Sequence, residues 1–198
     1  MFVTFEGLDG SGKSTQAQLL AEALEADGRE VVATREPGGT ELGEQIRELI
    51  LRGPEVGPWA EAALFAAARA QLVEEVIAPA LARGADVVCD RYLDSSLAYQ
   101  GIARGLGVDR VLELNLNPIR NLLPDRTLLL VVPPAEALRR KAGESDRIER
   151  EGGRFMGAVD KAYRELAGLF PKRICEVDGT RPVDEVAEEI RGLVRELS

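Results

Sequence analysis

Histidine is absent from this chain of 198 residues. Every mechanism that uses imidazole as a general base or as a metal ligand is therefore excluded. Cysteine is nearly absent, since only Cys89 and Cys175 occur, far apart and without the spacing of a C-x-x-C or zinc motif. The sequence therefore predicts buried, small hydrophobic cysteines rather than a disulfide or a zinc site.

Positive charge is also in deficit, because the chain has 25 Lys and Arg but 34 Asp and Glu, which gives a formal net charge of −9. Affinity for nucleic acid or an anionic membrane needs a broad basic surface, so neither partner is expected and any phosphate site must be local. No apolar run approaches the roughly 18 residues of a membrane span, and the apolar start MFVTF lacks the basic flank of a signal peptide. These features predict a cytoplasmic protein.

Short apolar runs alternate with amphipathic stretches along the chain. The length suits one domain, residues 1–198, and the alternation predicts an α/β fold with a parallel sheet of about five strands flanked by crossover helices. Predicted strands lie at 2–5, 31–34, 85–89, 127–132 and 173–177. Predicted helices cover 13–27, 40–51, 58–82, 93–103, 108–121, 134–142, 148–169 and 182–197.

The stretch GLDGSGKST joins the first predicted strand to the first predicted helix. It fits the pattern G-x-x-x-x-G-K-[ST], in which glycines let backbone amides surround a phosphate at a helix N-terminus. Lys13 is predicted to reach the β- and γ-phosphates, and Ser14 to ligate Mg²⁺. The motif predicts a P-loop NTPase-type fold whose nucleoside triphosphate contacts Gly7, Leu8, Asp9, Gly10, Ser11, Gly12, Lys13, Ser14 and Thr15.

Asp90 ends the apolar stretch ADVVCD, at the edge where a parallel sheet delivers side chains to a ligand. We expect Asp90 to hold Mg²⁺ together with Ser14, directly or through water. An aspartate that only caps the next helix is the alternative. GTPases read guanine through Asn-Lys-x-Asp, and no lysine here follows an asparagine. A small-molecule kinase therefore fits this sequence better than a G protein.

Six stretches occur in the order typical of one enzyme family: FEGLDGSGKST, TREPGGT, FAAARAQ, DRYLDSSLAYQG, DRIE and DGTRPVDEV. On these motifs, and over nearly its whole length, the sequence resembles the thymidylate kinases (dTMP kinases). The resemblance implies a nucleoside monophosphate kinase, usually a homodimer, that transfers the γ-phosphoryl group of MgATP to dTMP. The products would be dTDP and ADP, a step toward dTTP, with Mg²⁺ as the metal cofactor.

Phe65 and Arg69 are four residues apart on the predicted helix 58–82 and so share one face. A base can stack on the Phe65 ring while the Arg69 guanidinium donates to thymine O4. Cytosine presents an amino group at that place, so dTMP is expected to be preferred over dCMP. Without the resemblance, the ordinary interpretation is a core phenylalanine and a solvated arginine.

The helix after DRY carries Ser96, Tyr99 and Gln100 within about one turn. By the resemblance, Ser96 and Gln100 contact the base edge, and Tyr99 occupies the space that a ribose 2′-hydroxyl would need. The alternative is a helix with ordinary polar positions, in which the DSS residues serve only as its N-cap.

Asp9 lies inside the phosphate loop, where a carboxylate repels incoming phosphates unless another group engages it. By the resemblance it binds the 3′-hydroxyl of dTMP, and a turn-forming aspartate before glycine is the alternative. Arg35 and Arg91 follow strands predicted to end at one edge, so both are candidates for gripping the dTMP phosphate. Pro37 would shape the loop after Arg35 on the substrate side, where a plain turn is the alternative.

Residues 139–154 hold six basic side chains, with Gly143 near the middle. Alone, such a segment is typical of a solvated helical face, whereas the resemblance implies a lid whose arginines close over the triphosphate. Arg147 of DRIE is the best-matched catalytic arginine, and Arg140 is assigned to ATP binding. Some members of the family carry the catalytic arginine in the phosphate loop, but that position is Gly10 here.

The expected catalytic residues are thus Lys13, Arg91, Arg147 and Asp9, and none is needed as a general base. A phosphate monoester has its second pKa at about 6, so the acceptor is largely dianionic at neutral pH. A kinase of the same superfamily that acts on AMP, dCMP or a deoxynucleoside is the nearest alternative. An ATP-binding regulatory or scaffold protein without turnover is the alternative from another class.

Overall fold

The computed structural model describes residues 1–141 and 146–197. Within these residues, five strands form one sheet in the order β2-β3-β1-β4-β5, and every neighbouring pair is parallel. The predicted α/β architecture and P-loop NTPase-type sheet are therefore confirmed. The strands are β1 (Phe2–Glu6), β2 (Val31–Arg35), β3 (Asp86–Asp90), β4 (Arg126–Val131) and β5 (Ile174–Asp178).

Helices connect the strands and cover both faces of the sheet. They are α1 (Lys13–Ala26), α2 (Glu41–Arg52), α3 (Pro58–Leu72), α4 (Ala78–Ala82), α5 (Leu93–Ser96), α6 (Val108–Leu116), α7 (Pro134–Arg140), α8 (Gly153–Leu169) and α9 (Val183–Arg195). Helix α1 ends where the sequence indicates, because Gly28 takes φ +80° and its N–H donates to Glu25 O. Thr40 is the N-cap of helix α2, and its hydroxyl accepts from Gly43 N at 3.0 Å.

Four predicted helices differ from the structure. The predicted helix 58–82 contains a π-helical turn, Val73–Ile77, between α3 and α4, and the predicted helix 93–103 becomes α5 followed by a π-helical segment, Leu97–Ala103. Helix α6 ends at Leu116 instead of 121, because Pro118 has no N–H to continue it. The predicted helix 148–169 is divided into a 3₁₀ turn, Glu149–Glu151, and α8, since Gly152 takes φ +86°.

Apolar side chains alternate between the two faces of the sheet. Val3 and Phe5 of β1 face α1 and α9, whereas Phe2 joins the larger cluster that includes Leu72 and Leu166 on the opposite side. Each fully buried side chain of this size contributes about 1.5–3 kcal/mol. This double layer fixes the carboxyl ends of the strands, where Phe5 and Arg35 both align with Asp90.

Several expectations concern single residues or segments. Cys89 is buried, as predicted, whereas Cys175 is only half-buried, and both thiols are free. Part of the predicted lid 139–154, residues 142–145 with Gly143, lies outside the described residues. Among the residues that are described, no helix combines the length and hydrophobicity that crossing a membrane requires.

Candidate active site

The loop between β1 and α1 is closely fitted against the sheet and α7. Gly7 and Gly10 take φ values of +136° and +84°, which L side chains rarely adopt. A Cβ atom at Gly7 would lie 2.6 Å from Leu130 O, and one at Gly10 would lie 2.0 Å from Ala137 O. The loop therefore approaches neighbouring backbone so closely that only glycine fits at these two positions.

One cavity, the donor cavity, opens beside this loop and has a volume of about 610 Å³. Predicted ATP-binding residues that line it are Gly10, Ser11, Gly12, Lys13, Ser14, Thr15 and Arg140, while Gly7, Leu8 and Asp9 lie outside its lining. The Arg140 guanidinium donates to Gly179 O at 2.7 Å and to Glu136. Gly179, Thr180 and Arg181 also line the cavity and had no assigned role, although they belong to the motif DGTRPVDEV.

Ser14 and Asp90, the predicted metal ligands, meet directly. The Ser14 hydroxyl donates to Asp90 Oδ2 in a short hydrogen bond, and Asp90 Oδ1 is buried without a partner in the described part of the chain. A buried carboxylate oxygen without a donor is suited to a cation or to a water held by one. Among the described residues, no group of three or more acidic or cysteine side chains is arranged so that it could hold a metal ion.

A second cavity, the acceptor cavity, lies on the other side of the loop and has a volume of about 220 Å³. Lys13 and Ser14 line both cavities, so the two spaces meet at the start of α1. Eight predicted substrate-binding residues line the acceptor cavity: Asp9, Arg35, Pro37, Phe65, Arg91, Ser96, Tyr99 and Gln100. Other lining residues were not singled out in the sequence: Glu36, Arg47, Leu51, Ser95, Asp146, Ile148 and Met156.

Two cations converge on Asp9 at the inner end of the acceptor cavity. Asp9 Oδ1 accepts from Lys13 Nζ at 2.7 Å and from Arg91 Nη2 at 2.8 Å. Burial raises the pKa of Asp9, but the positive charges of Arg91 and Lys13 outweigh it and hold that pKa well below its usual value. Arg35 also borders this end and pairs with Glu44 of α2 at 2.8 Å.

A buried carboxylate, Glu6, organises the turn that carries Arg91. It accepts from Tyr92 N at 2.8 Å, from Ser95 N at 3.1 Å, from the Ser95 hydroxyl at 2.6 Å and from the Tyr163 hydroxyl at 2.8 Å. Burial, and then the charge of Asp94, raise the pKa of Glu6. These bonds hold Arg91 in a left-handed conformation, φ +70°. The signal in the sequence was an acidic residue at the end of an otherwise apolar strand.

The outer part of the acceptor cavity combines rings with a few polar atoms. Phe65, Tyr99 and Met156 supply apolar surface, and Ser96 Oγ is buried without a partner among the described residues. Burial raises the pKa of Tyr99 to about 12, so its hydroxyl stays protonated. The DSS residues do not cap α5, since its N-cap is Tyr92 and no side chain caps it. Asp94 instead pairs with Arg173.

Four predicted site residues lie outside both linings, namely Gly7 and Leu8 of the loop and the arginines Arg69 and Arg147. Arg69 is fully buried and donates to Glu36, to Asn115 Oδ1 at 2.5 Å and to Tyr92 O at 3.1 Å. Arg147 donates to Ile50 O at 2.8 Å and to Glu61 Oε2 at 2.7 Å. The guanidinium groups are held by two buried carboxylates, those of Glu36 and Glu61, which the sequence analysis did not identify as partners. The base contact of Arg69 and the lid role of Arg147 stay predictions.

Comparison with known proteins gives one consistent result. The family model described as "Thymidylate kinase" matches residues 5–190. A thymidylate kinase of Bifidobacterium longum is 47% identical over 203 aligned residues, covering 100% of this chain and 98% of the relative. One from Clavibacter michiganensis is 51% identical and covers 96% and 92%. The crystal structure of thymidylate kinase from Ehrlichia chaffeensis superposes with a TM-score of 0.78 at 32% identity and covers 98% of both chains.

Proposed function

The chain belongs to the thymidylate kinase family, and from that premise we propose how its two cavities divide the reaction. Thymidylate kinases are nucleoside monophosphate kinases, phosphotransferases that act on ATP and dTMP. ATP places its triphosphate in the donor cavity, and dTMP places its phosphate at the inner end of the acceptor cavity. The observation that carries this assignment is that Lys13 and Ser14 line both cavities, which brings the two phosphate ends together.

Transfer then needs positioning and charge neutralisation rather than a base. Lys13 contacts the donor phosphates, and Arg91 and Arg35 bind the acceptor phosphate, whose oxygen attacks the γ-phosphorus in line. Asp9 accepts a hydrogen bond from the sugar 3′-hydroxyl. The acceptor is already dianionic at neutral pH, so the absence of histidine does not limit the reaction.

Ser14 and Asp90 would hold Mg²⁺, because their oxygens meet at the junction of the cavities and Asp90 Oδ1 is buried without a donor among the described side chains. When bound, Mg²⁺ neutralises charge on the donor phosphates. Asp90 lies at the end of a buried strand, which fixes the position of its backbone. Arg140 contacts ATP in this proposal, which its position in the lining of the donor cavity supports.

The base lies in the outer part of the acceptor cavity. Phe65 stacks on the ring, Ser96 and Gln100 contact its edge, and Tyr99 occupies the space beside the sugar. Pro37 borders the same space and is fixed by Arg47, whose guanidinium donates to Pro37 O at 2.9 Å. The mixture of apolar rings and few polar atoms is typical of a small-molecule site.

A coupled ADP-release assay across dTMP, dUMP, dCMP, AMP and deoxynucleosides tests this function, with an acceptor-free reaction as the control. We expect the highest kcat/KM with dTMP. Faster turnover of dCMP or AMP would assign the chain to another acceptor. Tight MgATP binding without turnover of any acceptor would favour a regulatory ATP-binding protein.

Two further properties stay predictions. A homodimer, as the family resemblance implies, is tested by light scattering of the purified chain at several concentrations. A cytoplasmic location agrees with the use of ATP and dTMP and is tested by cell fractionation.

A further inference from the structure

Glu61 of α3 is a buried carboxylate beside the acceptor cavity, and it has several hydrogen-bond donors. Its Oε1 accepts from Gln100 Nε2 at 2.8 Å and from Arg104 Nε at 3.3 Å. Its Oε2 accepts from Arg147 Nη2 at 2.7 Å and from Arg104 Nη2 at 3.2 Å. Glu61 is only 1% exposed and is not needed for the phosphate chemistry described above. Gln100 and Arg104 lie in and just after the π-helical segment that follows α5, and Arg147 belongs to the motif DRIE.

The chemistry of a carboxylate fixes which way the Gln100 amide points. An ionised carboxylate only accepts hydrogen bonds, so it must face the NH₂ group of Gln100. Burial would raise the pKa of Glu61, but the bonds from Gln100, Arg147 and Arg104 lower it below its usual value and keep it ionised. The amide oxygen of Gln100, Oε1, is therefore turned away from Glu61. Gln100 itself lines the acceptor cavity.

We propose that Glu61 is a positioning residue that sets the choice of base by presenting Gln100 Oε1, a hydrogen-bond acceptor, to the bound nucleotide. Thymine carries an N–H at N3, which can donate to that oxygen. Cytosine carries a lone pair at N3, which would face the same oxygen and leave both acceptors without a donor. This inference rests on the proposed function, since it concerns the base of the phosphoryl acceptor.

Two arginines keep Glu61 in this role. Arg104 also donates to Glu151 at 2.7 Å and lies over the Phe155 ring, 4.5 Å from its centroid. Arg147 is anchored to Ile50 O. Gln100, Arg104 and Arg147 thus all donate to the Glu61 carboxylate, and its rotation away from Gln100 would break the charge-assisted hydrogen bonds from the two arginines. Without Glu61, the Gln100 amide could turn over and offer NH₂ to the base.

The substitution Glu61→Gln tests the proposal, because a glutamine has one acceptor oxygen for the two arginines. That oxygen stays with the arginines, so the new NH₂ group faces Gln100 and favours the reversed amide. We expect the ratio of kcat/KM for dTMP to that for dCMP to fall by about 10- to 100-fold. Glu74→Gln is the matched control, since Glu74 pairs with Arg120 on the surface, and its ratio should equal that of the parent chain.

Exchanging the two groups, in the double variant Glu61→Gln with Gln100→Glu, keeps the total charge and restores an acceptor oxygen at position 100. We expect this variant to regain most of the preference for dTMP. The double variant also tests the proposal if Glu61→Gln alone does not fold, because the new amide NH₂ at position 61 can donate to the new carboxylate at position 100. A purely structural role for Glu61 would lower the melting temperature and both kcat/KM values together, with the ratio unchanged.

Two results would overturn the inference: an unchanged dTMP/dCMP ratio in folded Glu61→Gln, or a folded double variant that has lost the preference. Failure of the proposed function looks different, since the parent chain itself would then not phosphorylate dTMP. Circular dichroism and thermal unfolding of each variant identify the folded proteins.

Discussion

A methyl group at Gly10 would test how closely the phosphate loop is fitted against α7. Gly10 has φ +84°, and its added Cβ would lie 2.0 Å from the backbone oxygen of Ala137. Gly28 has nearly the same φ, +80°, but a Cβ there meets no described atom within 4 Å. The pair Gly10→Ala and Gly28→Ala therefore separates backbone strain from steric overlap.

The left-handed backbone costs an alanine about 1–2 kcal/mol at either position. The overlap at Gly10 adds about 1–3 kcal/mol, because the atom in contact is backbone and can move only if α7 or the loop shifts. We therefore expect Gly28→Ala to lower the free energy of unfolding by about 1–2 kcal/mol, and Gly10→Ala by about 2–5 kcal/mol. In a chain of this size, each 1 kcal/mol lowers the melting temperature by about 2–4 °C.

Thermal unfolding and urea titration measure these differences, and the ATP dependence of the kinase rate gives a second readout. Because a shifted loop displaces the amides that surround the phosphates, Gly10→Ala should raise the KM for ATP by about tenfold or more, whereas Gly28→Ala should not change it. Equal destabilisation by the two substitutions, with equal KM values for ATP, would refute the close contact between Gly10 and α7.

Lys13→Ala is expected to lower kcat by about 10²-fold or more, because Lys13 lines both cavities, where we propose that the two phosphate ends meet; near-normal turnover in the coupled assay would refute the donor site. Asp90→Asn keeps an acceptor for Ser14 but removes a charge, so half-maximal activity should need about tenfold more Mg²⁺, and an unchanged titration would exclude Asp90 as a ligand. Burial raises the pKa of Glu36 from 4.5 to about 7, so the folded chain keeps a proton that the unfolded chain releases, and stability falls as pH rises from about 5 to about 7. Urea unfolding at pH 5 and pH 8 measures this loss of stability, and in Glu36→Gln the loss should be smaller than in the parent chain by up to about 3 kcal/mol. An equal loss of unfolding free energy in the variant and the parent chain would contradict this.

Much of the fold could be predicted because local patterns and fold geometry agree. Each predicted strand overlaps its observed strand, since short apolar runs between helices can be buried only in a central parallel sheet. The two π-helical segments could not be predicted. Val73–Ile77 lies between two α-helical stretches and contains no proline or glycine, and Leu97–Ala103 ends its helix and has a glycine, Gly101, only in its second half, so no residue marks the start of either widened turn.

The part of the site built on strand ends and the phosphate loop was also predictable. The phosphate-loop motif identified Lys13 and Ser14, the end of a predicted strand identified Asp90, and the structure brings the three together. Partners of buried arginines were not predictable, because Arg69 meets Glu36 from 33 residues away and Arg147 meets Glu61 from 86 residues away. Which carboxylate a buried arginine finds depends on how helices pack, and the sequence carries no local signal of that.

The carboxylate of Asp9 would repel a phosphate that enters the loop between β1 and α1, and the positive charges around it explain why it is tolerated there. Lys13 and Arg91 both donate to the same oxygen of Asp9, so two positive charges face one negative charge. Both cations keep further N–H groups from which phosphate oxygens can accept. In the proposed reaction Asp9 keeps both cations beside the phosphates, and Glu6 fixes the turn behind Arg91. We propose that bound phosphates take over the two cations and free Asp9 Oδ1 to accept from the sugar hydroxyl, so that one carboxylate both preorganises the cations and positions the acceptor.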